Sequence, residues 1–207
     1  MTKNSTHQPS MNDKWKDRYE SGDTPWDTGR PESGLIQFIE KNKIIPCNAL
    51  EIGCGTGTNS IWLAKKGFSV TGIDISTKAI EIATNKSKTE GVSCHFQAQD
   101  FLSEAMPEKH YSLAFDRGCF HVFDPAEERS RFAQNVAHSL AREGCWLSLI
   151  GSADDPPRDT GPPRRTAQEI VDAVEPFFEI LSLTAGFFDS QKKRPPRSWV
   201  CYARKRE

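Results

Sequence analysis

The fold class is decided by one segment, LEIGCGTGTN, which spans residues 50–59. A short apolar run leads into three alternating glycines, Gly53, Gly55 and Gly57, and a helical pattern begins just after them. Glycine has no Cβ atom, so the backbone can turn sharply here and lie against a ligand. A strand, a glycine-rich loop and a helix in this order predict a ligand site at the carboxyl end of the strand.

The alternation of strand-like and helical patterns continues along the chain from this segment. Apolar runs typical of strands (NALEIG, SVTGID, SCHFQAQD, YSLAFD and CWLSLIG) alternate with helical patterns, which predicts parallel βαβ units. Two further strand-like runs, EILSLTAGFFDS and SWVCYARK, are joined by QKKRPPR and predict a terminal hairpin. We therefore predict a Rossmann-like, doubly wound α/β fold. Its sheet has seven strands and is mostly parallel, with one antiparallel strand in the C-terminal hairpin.

Length and composition favour a single domain. Of the 207 residues, 36% are hydrophobic and 27% are charged. This length suits one domain with its own core and is too short for two large ones. We expect residues 1–13 to form a disordered tail and residues 14–207 to form the domain.

Charge and patterning exclude several classes of partner. The formal net charge of −1 gives no overall attraction to nucleic acid or anionic lipid. No apolar run approaches the ~20 residues that span a bilayer, and the polar N-terminus lacks a secretion signal. The six cysteines and five histidines do not show zinc-ligand spacing. We predict a cytoplasmic protein, a monomer or weak homodimer, without a metal and without nucleic-acid or membrane partners.

The glycine spacing and its acidic neighbour narrow the choice of ligand. The spacing is G-x-G-x-G, and Thr58 stands where the dinucleotide fingerprint requires its third glycine. Glu51, just ahead of the glycines, would repel a pyrophosphate but suits a ligand with a sulfonium and an ammonium group. These features favour S-adenosylmethionine over NAD, although a nucleotide-binding oxidoreductase stays an alternative.

Acidic residues follow the next two predicted strands. Asp74, followed by Ile75, ends the second strand, where a carboxylate can accept both ribose hydroxyls. Asp100 ends the third strand, where it can accept an adenine amino group while Phe101 packs on the purine. Either aspartate alone could instead cap a helix. Their order after the glycine loop favours one contiguous cofactor crevice at the carboxyl edge of the sheet.

Several motifs carry a family resemblance. LEIGCGTG followed by VTGIDIS resembles the class I S-adenosylmethionine methyltransferases, and TPWDTGRP at residues 24–31 resembles the segment before the first strand of thiol/halide methyltransferases. Phe115-Asp116-Arg117-Gly118 resembles the Asp-Arg-Gly after strand four of thiopurine S-methyltransferases. Gly161-Pro162-Pro163 and Arg197-Ser198-Trp199 resemble their Gly-Pro-Pro loop and the opening of their last strand. From about Trp15 to its end, the chain resembles the thiopurine/thiol methyltransferase superfamily.

The resemblance implies roles for particular residues. Tryptophans close over the cofactor in those relatives, which points to Trp15 and Trp26 within a covering segment, residues 14–45. An aromatic face also attracts a sulfonium, although these tryptophans could merely pin the segment to the domain. Arg117 maps to the acceptor pocket, whereas Pro195 stands where thiopurine enzymes carry a pocket arginine. The residues assigned to the cofactor are Trp15, Trp26, Arg30, Glu51, Gly53, Cys54, Gly55, Thr56, Gly57, Asp74, Ile75, Asp100, Phe101 and Asp116.

The run DRGCFHVFD after the fourth strand supplies the candidates for catalysis. Asp116 can orient the acceptor or take its proton, and Arg117 can hold an anionic acceptor. His121 can assist proton transfer, or it can simply begin the next helix. We interpret Cys119 as part of the pocket wall, because displacement at a sulfonium needs no covalent intermediate.

The sequence thus predicts S-adenosylmethionine-dependent methyl transfer to a small, soft nucleophile, with a thiol as the first expectation. The long loop GSADDPPRDTGPPRR would close over the acceptor and exclude large substrates. Halide, tellurite or another metalloid, nitrogen and oxygen stay open as alternative acceptors. A non-catalytic cofactor-binding protein is an alternative of another class.

Overall fold

The computed structural model describes residues 11–106, 110–156 and 163–207. The helices are α1 (Met11–Ser21), α2 (Ser33–Lys41), α3 (Thr58–Lys65), α4 (Thr77–Thr89), α5 (Ala126–Ser139) and α6 (Ala167–Val174). The strands are β1 (Asn48–Ile52), β2 (Ser69–Asp74), β3 (His95–Ala98), β4 (Tyr111–Arg117), β5 (Leu140–Gly151), β6 (Phe178–Phe187) and β7 (Arg197–Lys205). A short 3-10 helix, Phe120–Val122, follows β4.

One seven-stranded sheet organises the molecule, in the order β3-β2-β1-β4-β5-β7-β6. The pairs from β3 to β5 are parallel, whereas β7 is antiparallel to both β5 and β6. The predicted fold class is therefore confirmed, including the C-terminal hairpin and its antiparallel strand. The strand order reverses between β1 and β4, and ligands bind at such a reversal in open α/β sheets.

Helices cover both faces of this sheet. On one face, Leu35 of α2 and Leu63 of α3 pack with Leu147 of β5. On the other face, buried side chains of α5 and α6, among them Phe132, surround Trp146 of β5. Because both faces are covered, the central strands are apolar on both sides, as parallel strands usually are.

The N-terminal part of the chain differs from its prediction in one respect. Helix α1 begins at Met11, so residues 11–13 are helical and do not belong to a disordered tail. Residues 1–10 of the predicted tail lie outside the described residues, as do Gly161 and Pro162 of the Gly-Pro-Pro motif.

Two further observations concern only the described ranges. No helix there combines the length and apolar character that crossing a membrane requires. Within the same ranges, no group of three His, Cys, Asp or Glu side chains is arranged to hold a metal ion.

Candidate active site

The glycine loop connects β1 to α3 at the point where the strand order reverses. Gly53 and Gly55 have φ of +68° and +54°, which side chains other than glycine rarely adopt. A Cβ atom on Gly55 would lie 2.7 Å from the Tyr19 hydroxyl, and one on Gly53 would lie 3.0 Å from the Cβ of Cys119. The loop is thus bordered by α1 on one side and by the turn after β4 on the other.

Asp74, at the end of β2, lies directly beside this loop. Its carboxylate accepts hydrogen bonds from the backbone N–H of Gly55 and of Ser76, each at 2.9 Å. Burial raises the pKa of Asp74, and the two backbone bonds act in the opposite direction. Ile75 follows and is half-buried. The structure therefore brings together the glycine loop, Asp74 and Ile75, as the sequence predicts.

Glu51 does not face the crevice, and its predicted contact with an ammonium group is corrected here. Its side chain is 1% exposed, and it alternates with Leu50 and Ile52, which belong to the opposite core. One carboxylate oxygen accepts from Asn59 at 2.9 Å and the other from Ser60 at 2.5 Å. Glu51 therefore supports the first turn of α3, and burial raises its pKa to about 7.

The N-terminal segment covers the glycine loop. Trp15 and Trp26 meet edge to face, with ring centroids 5.2 Å apart, and the Trp26 indole donates to the Tyr19 hydroxyl at 3.3 Å. Asp27 accepts a hydrogen bond of 2.6 Å from the Thr56 hydroxyl, which ties the segment to the loop. The sequence analysis does not predict Tyr19, although it lies on the same helical face as Trp15, four residues before it.

Arg30 occupies the turn before α2. Its side chain is exposed, and its backbone is bonded to the Thr28 hydroxyl at 3.3 Å. A contact between the Arg30 guanidinium and the cofactor stays a prediction.

Asp100 lies two residues after the end of β3, and its contact with an adenine amino group stays a prediction, whereas Phe101 belongs to the core. The half-buried Asp100 carboxylate accepts from the backbone N–H of Leu102 at 3.0 Å and from the Ser103 hydroxyl at 2.7 Å. The Phe101 ring is 5% exposed and packs edge to face on Phe132, with centroids 5.0 Å apart. Phe101 is therefore a core residue, and the prediction that it stacks on a purine is corrected.

Asp116 is the second-last residue of β4 and is fully buried. One oxygen accepts from the backbone N–H of Cys119 and Phe120, at 3.1 and 3.0 Å. The other oxygen accepts from the Trp146 indole at 3.0 Å. Burial raises the pKa of Asp116 to about 6, against these stabilising bonds. Asp116 therefore holds the turn after β4, and its predicted direct roles toward acceptor and cofactor are corrected.

Arg117, in contrast, lies at the site but is already paired. Its Nε donates to the carboxylate of Glu32, which is 1% exposed, and its Nη2 donates to the backbone carbonyl of Asp189 at 2.8 Å. The guanidinium also lies 5.1 Å from the centre of the Phe188 ring. The prediction that Arg117 offers its charge to an anionic acceptor is therefore corrected.

His121 and Cys119 complete the turn. The His121 Nδ1 accepts the backbone N–H of Gly151 at 2.6 Å, which ties the turn to the end of β5. Its backbone carbonyl accepts from Arg165 at 3.0 Å. Burial, followed by the nearby Asp116 and Asp74, raises the pKa of the Cys119 thiol well above its usual value. Cys119 thus stays protonated at the boundary of the glycine loop, in agreement with its interpretation as a wall residue.

Two buried arginines brace the same turn from behind. Arg165 donates to the carbonyl of Phe123 and to the carboxylate of Asp124, each at 2.8 Å. Arg129 of α5 donates to the same carbonyl at 3.0 Å and pairs with Glu169 at 3.3 Å. The sequence analysis does not predict these contacts; those of Arg165 join residues 41 and 42 positions apart, which no local pattern relates.

Comparison with known proteins agrees with this geometry. Residues 10–200 match the model of the family described as thiopurine S-methyltransferase. A probable thiol methyltransferase 2 from Arabidopsis thaliana is 33% identical over 72% of this chain and 65% of its own length. A thiocyanate methyltransferase 1 from Brassica oleracea is 30% identical over 77% of this chain and 70% of its own length.

A solved structure shares the fold. It concerns the conversion of a disulfide bond into a thioacetal group during echinomycin biosynthesis, and it superposes with a TM-score of 0.84 at 22% identity. The superposition covers 95% of this chain and 92% of the other. Because the family match covers nearly the whole chain, the chain belongs to the thiopurine S-methyltransferase family of S-adenosylmethionine-dependent methyltransferases.

Proposed function

We propose that this protein transfers the methyl group of S-adenosylmethionine to the sulfur of a small thiol. The names of the thiol and thiocyanate methyltransferase relatives support sulfur as the acceptor atom. The observation that carries the proposal is that both candidate bases already accept hydrogen bonds from the protein itself. Asp116 is buried beneath three donors, and the Nδ1 of His121 accepts a backbone N–H.

The residues at the glycine loop fit this cofactor. Two carboxylates bind the loop: Asp27 accepts from the Thr56 hydroxyl, and Asp74 accepts from the backbone N–H of Gly55. Such an acidic neighbourhood suits a ligand with a sulfonium and an ammonium group and repels a pyrophosphate. When bound, S-adenosylmethionine supplies a methyl group that is already activated by the sulfonium.

The protein itself has to bind and orient the cofactor and the acceptor and to exclude water from them. We propose that Asp74 accepts the ribose hydroxyls and that Asp100 accepts the adenine amino group, while Ile75 contacts the base. Tyr19 and Trp26 supply aromatic surface on the open side of the loop. Cys119 lines the wall toward the acceptor.

A thiol fits the acceptor end because it needs little help to lose its proton. A hydroxyl acceptor requires a positioned general base, whereas an aryl thiol ionises near neutral pH without one. The N-terminal segment covers the glycine loop through the hydrogen bond between Asp27 and Thr56, and this cover supports a small-molecule acceptor.

Binding of the cofactor is tested by isothermal titration calorimetry with S-adenosylmethionine, S-adenosylhomocysteine and NAD. We expect the first two to bind and Asp74→Asn to weaken both at least tenfold, because it removes the negative charge and replaces one of the two acceptor oxygens with an N–H donor. Trp62→Ala, which truncates a half-buried ring of α3, is the control. Preferential binding of NAD would overturn the proposal.

The acceptor is tested with a matched pair, benzenethiol and phenol, which share their apolar body. We expect kcat/KM for benzenethiol to exceed that for phenol at least 100-fold, with methylated product identified by mass spectrometry. Equal rates, or preference for phenol or an amine, would reject sulfur as the acceptor. Cofactor binding without any product would indicate a non-catalytic binding protein.

We also propose that the protein acts in the cytoplasm as a monomer or weak homodimer, without nucleic-acid or membrane partners. Residues 14–45 would serve as its cofactor-covering segment. Light scattering on the purified protein checks the oligomeric state, and a stable higher assembly would contradict it.

A further inference from the structure

The acceptor end of the site contains a cluster of charges that joins three separate parts of the chain. One Glu32 oxygen pairs with Arg117 at the end of β4, and the other accepts the backbone N–H of Asp189 at 3.0 Å. Asp189 lies in the connection between β6 and β7. Its own carboxylate accepts the backbone N–H and the hydroxyl of Ser33, at 2.8 Å each.

The charges of this cluster do not favour an anion. Arg117 contributes one positive charge, whereas Glu32 and Asp189 contribute two negative charges. Glu32 is 1% exposed and the Arg117 side chain is 15% exposed, so solvent weakens their attraction far less than at a surface. The guanidinium is also covered by the Phe188 ring. A small anion at Arg117 would therefore meet a site whose positive charge is already balanced.

The cluster borders the path to the reacting centre. Arg117 and Cys119 flank Gly118 in the turn after β4, and Cys119 lies against the glycine loop at Gly53. Glu32, which offsets the charge of Arg117, thus acts where the acceptor must approach the methyl group.

We propose that Glu32 determines acceptor specificity by neutralising Arg117, so that the site selects thiols by their apolar body and rejects small inorganic anions, which depend on a positive charge for binding. This inference rests on the proposed function. The thiol first loses its proton to bulk water, and in the reaction the thiolate sulfur forms a bond to the methyl carbon. The bond from that carbon to the sulfonium sulfur breaks, and its electron pair stays on the cofactor sulfur, giving a thioether and S-adenosylhomocysteine.

Glu32→Gln tests the proposal directly. The amide oxygen can still accept from the Asp189 backbone, while the guanidinium loses its counter-charge. We expect the ratio of kcat/KM for thiocyanate or iodide to that for benzenethiol to rise at least tenfold over the wild-type ratio. Glu40→Gln, which removes an exposed charge from the same helix, should leave the ratio within twofold.

A second variant guards against failure of Glu32→Gln to fold. Asp189→Asn removes one negative charge from the cluster without breaking the pair between Glu32 and Arg117. We expect the same change in the ratio but a smaller one. An unchanged ratio in the folded variants, or a wild-type enzyme that prefers thiocyanate or iodide, would overturn the role of Glu32.

A binding measurement separates this inference from the proposed function. Thiocyanate is titrated into the complex with S-adenosylhomocysteine by calorimetry. We expect binding to Glu32→Gln at least tenfold tighter than to the wild type. If this holds while no thiol is methylated, the proposed function fails and the role of Glu32 stands. If thiols are methylated but thiocyanate binds both proteins equally, the role of Glu32 fails and the function stands.

Discussion

Glu51 carries a carboxyl group between β1 and α3, where burial raises its pKa to about 7 from an ordinary value of 4.5. A folded-state pKa above the unfolded one means that folding favours the protonated form. The resulting contribution to stability is full below about pH 4.5 and is lost as pH rises through about 7. This pH window lies within the range where many enzymes are assayed.

We expect Glu51→Gln to remove this pH dependence. Between pH 4.5 and 7.5, the free energy of unfolding of the wild type should fall relative to that of the variant by on the order of 3 kcal/mol. Urea unfolding at several pH values measures it, with the exposed Glu40→Gln as control. Parallel pH profiles for wild type and Glu51→Gln would contradict the burial of an ionisable group.

Asp116 offers a test that separates a positioning role from proton transfer. Asp116→Ala leaves the N–H groups of Cys119, Phe120 and Trp146 without their acceptor, so we expect it to lower the free energy of unfolding by about 3 kcal/mol. Asp116→Asn keeps part of these bonds and should cost less. Both should lower kcat/KM for benzenethiol without changing the shape of its pH profile. A folded Asp116→Asn variant whose profile loses a titration near pH 6 would instead identify a proton acceptor.

Among the elements, α1 and the turn after it contribute to the site through aromatic rings. Trp26 holds the Tyr19 hydroxyl, and this hydroxyl lies against Gly55. The segment reaches the loop a second time through Asp27 and Thr56. Cofactor binding should therefore depend on an element that adds little to the central core.

We expect Trp26→Ala to raise the Kd for S-adenosylhomocysteine at least tenfold, equivalent to about 1.4 kcal/mol, and to lower stability only slightly. The matched control is Trp62→Ala on α3, whose half-buried ring lies under Lys66. Calorimetry and thermal unfolding measure both effects. Equal losses of affinity in the two variants would show that the covering segment has no specific role.

Elements and long-range contacts differ in how far the sequence predicts them. The alternation of strands and helices, the glycine loop and Asp74 follow from local patterns, since apolar periodicity and glycine spacing report neighbouring residues. The face of β1 on which Glu51 lies could also have been predicted from the sequence, because side chains alternate along a strand and Glu51 lies opposite Leu50 and Ile52. The contacts among Glu32, Arg117 and Asp189 could not have been predicted, because 85 and 157 residues separate these partners and no local pattern relates them.

At the scale of the whole molecule, the two cores share a single sheet. Trp146 packs on one face, and its neighbour in β5, Leu147, packs on the other. A perturbation on either face therefore strains the same strand. The two sides should not unfold independently.

We expect one cooperative unfolding transition in urea, with coincident midpoints by far-ultraviolet circular dichroism and tryptophan fluorescence. Leu147→Ala should lower the free energy of unfolding by about 3 kcal/mol, and Trp146→Phe should act through the same transition. Two separated transitions in either variant would indicate that the faces form independent units.

The position of β7 between β5 and β6 has a consequence for how the protein is made. The ribosome synthesises β5 and β6 before β7, yet in the sheet the two are not paired with each other and β7 lies between them. Until residues 197–205 emerge, the nascent chain presents two unpaired strand edges, which are templates for association with other chains. A nonsense mutation upstream of β7 would leave this state permanent, so its product is expected to aggregate or to be degraded even though the glycine loop and every residue around it have been translated.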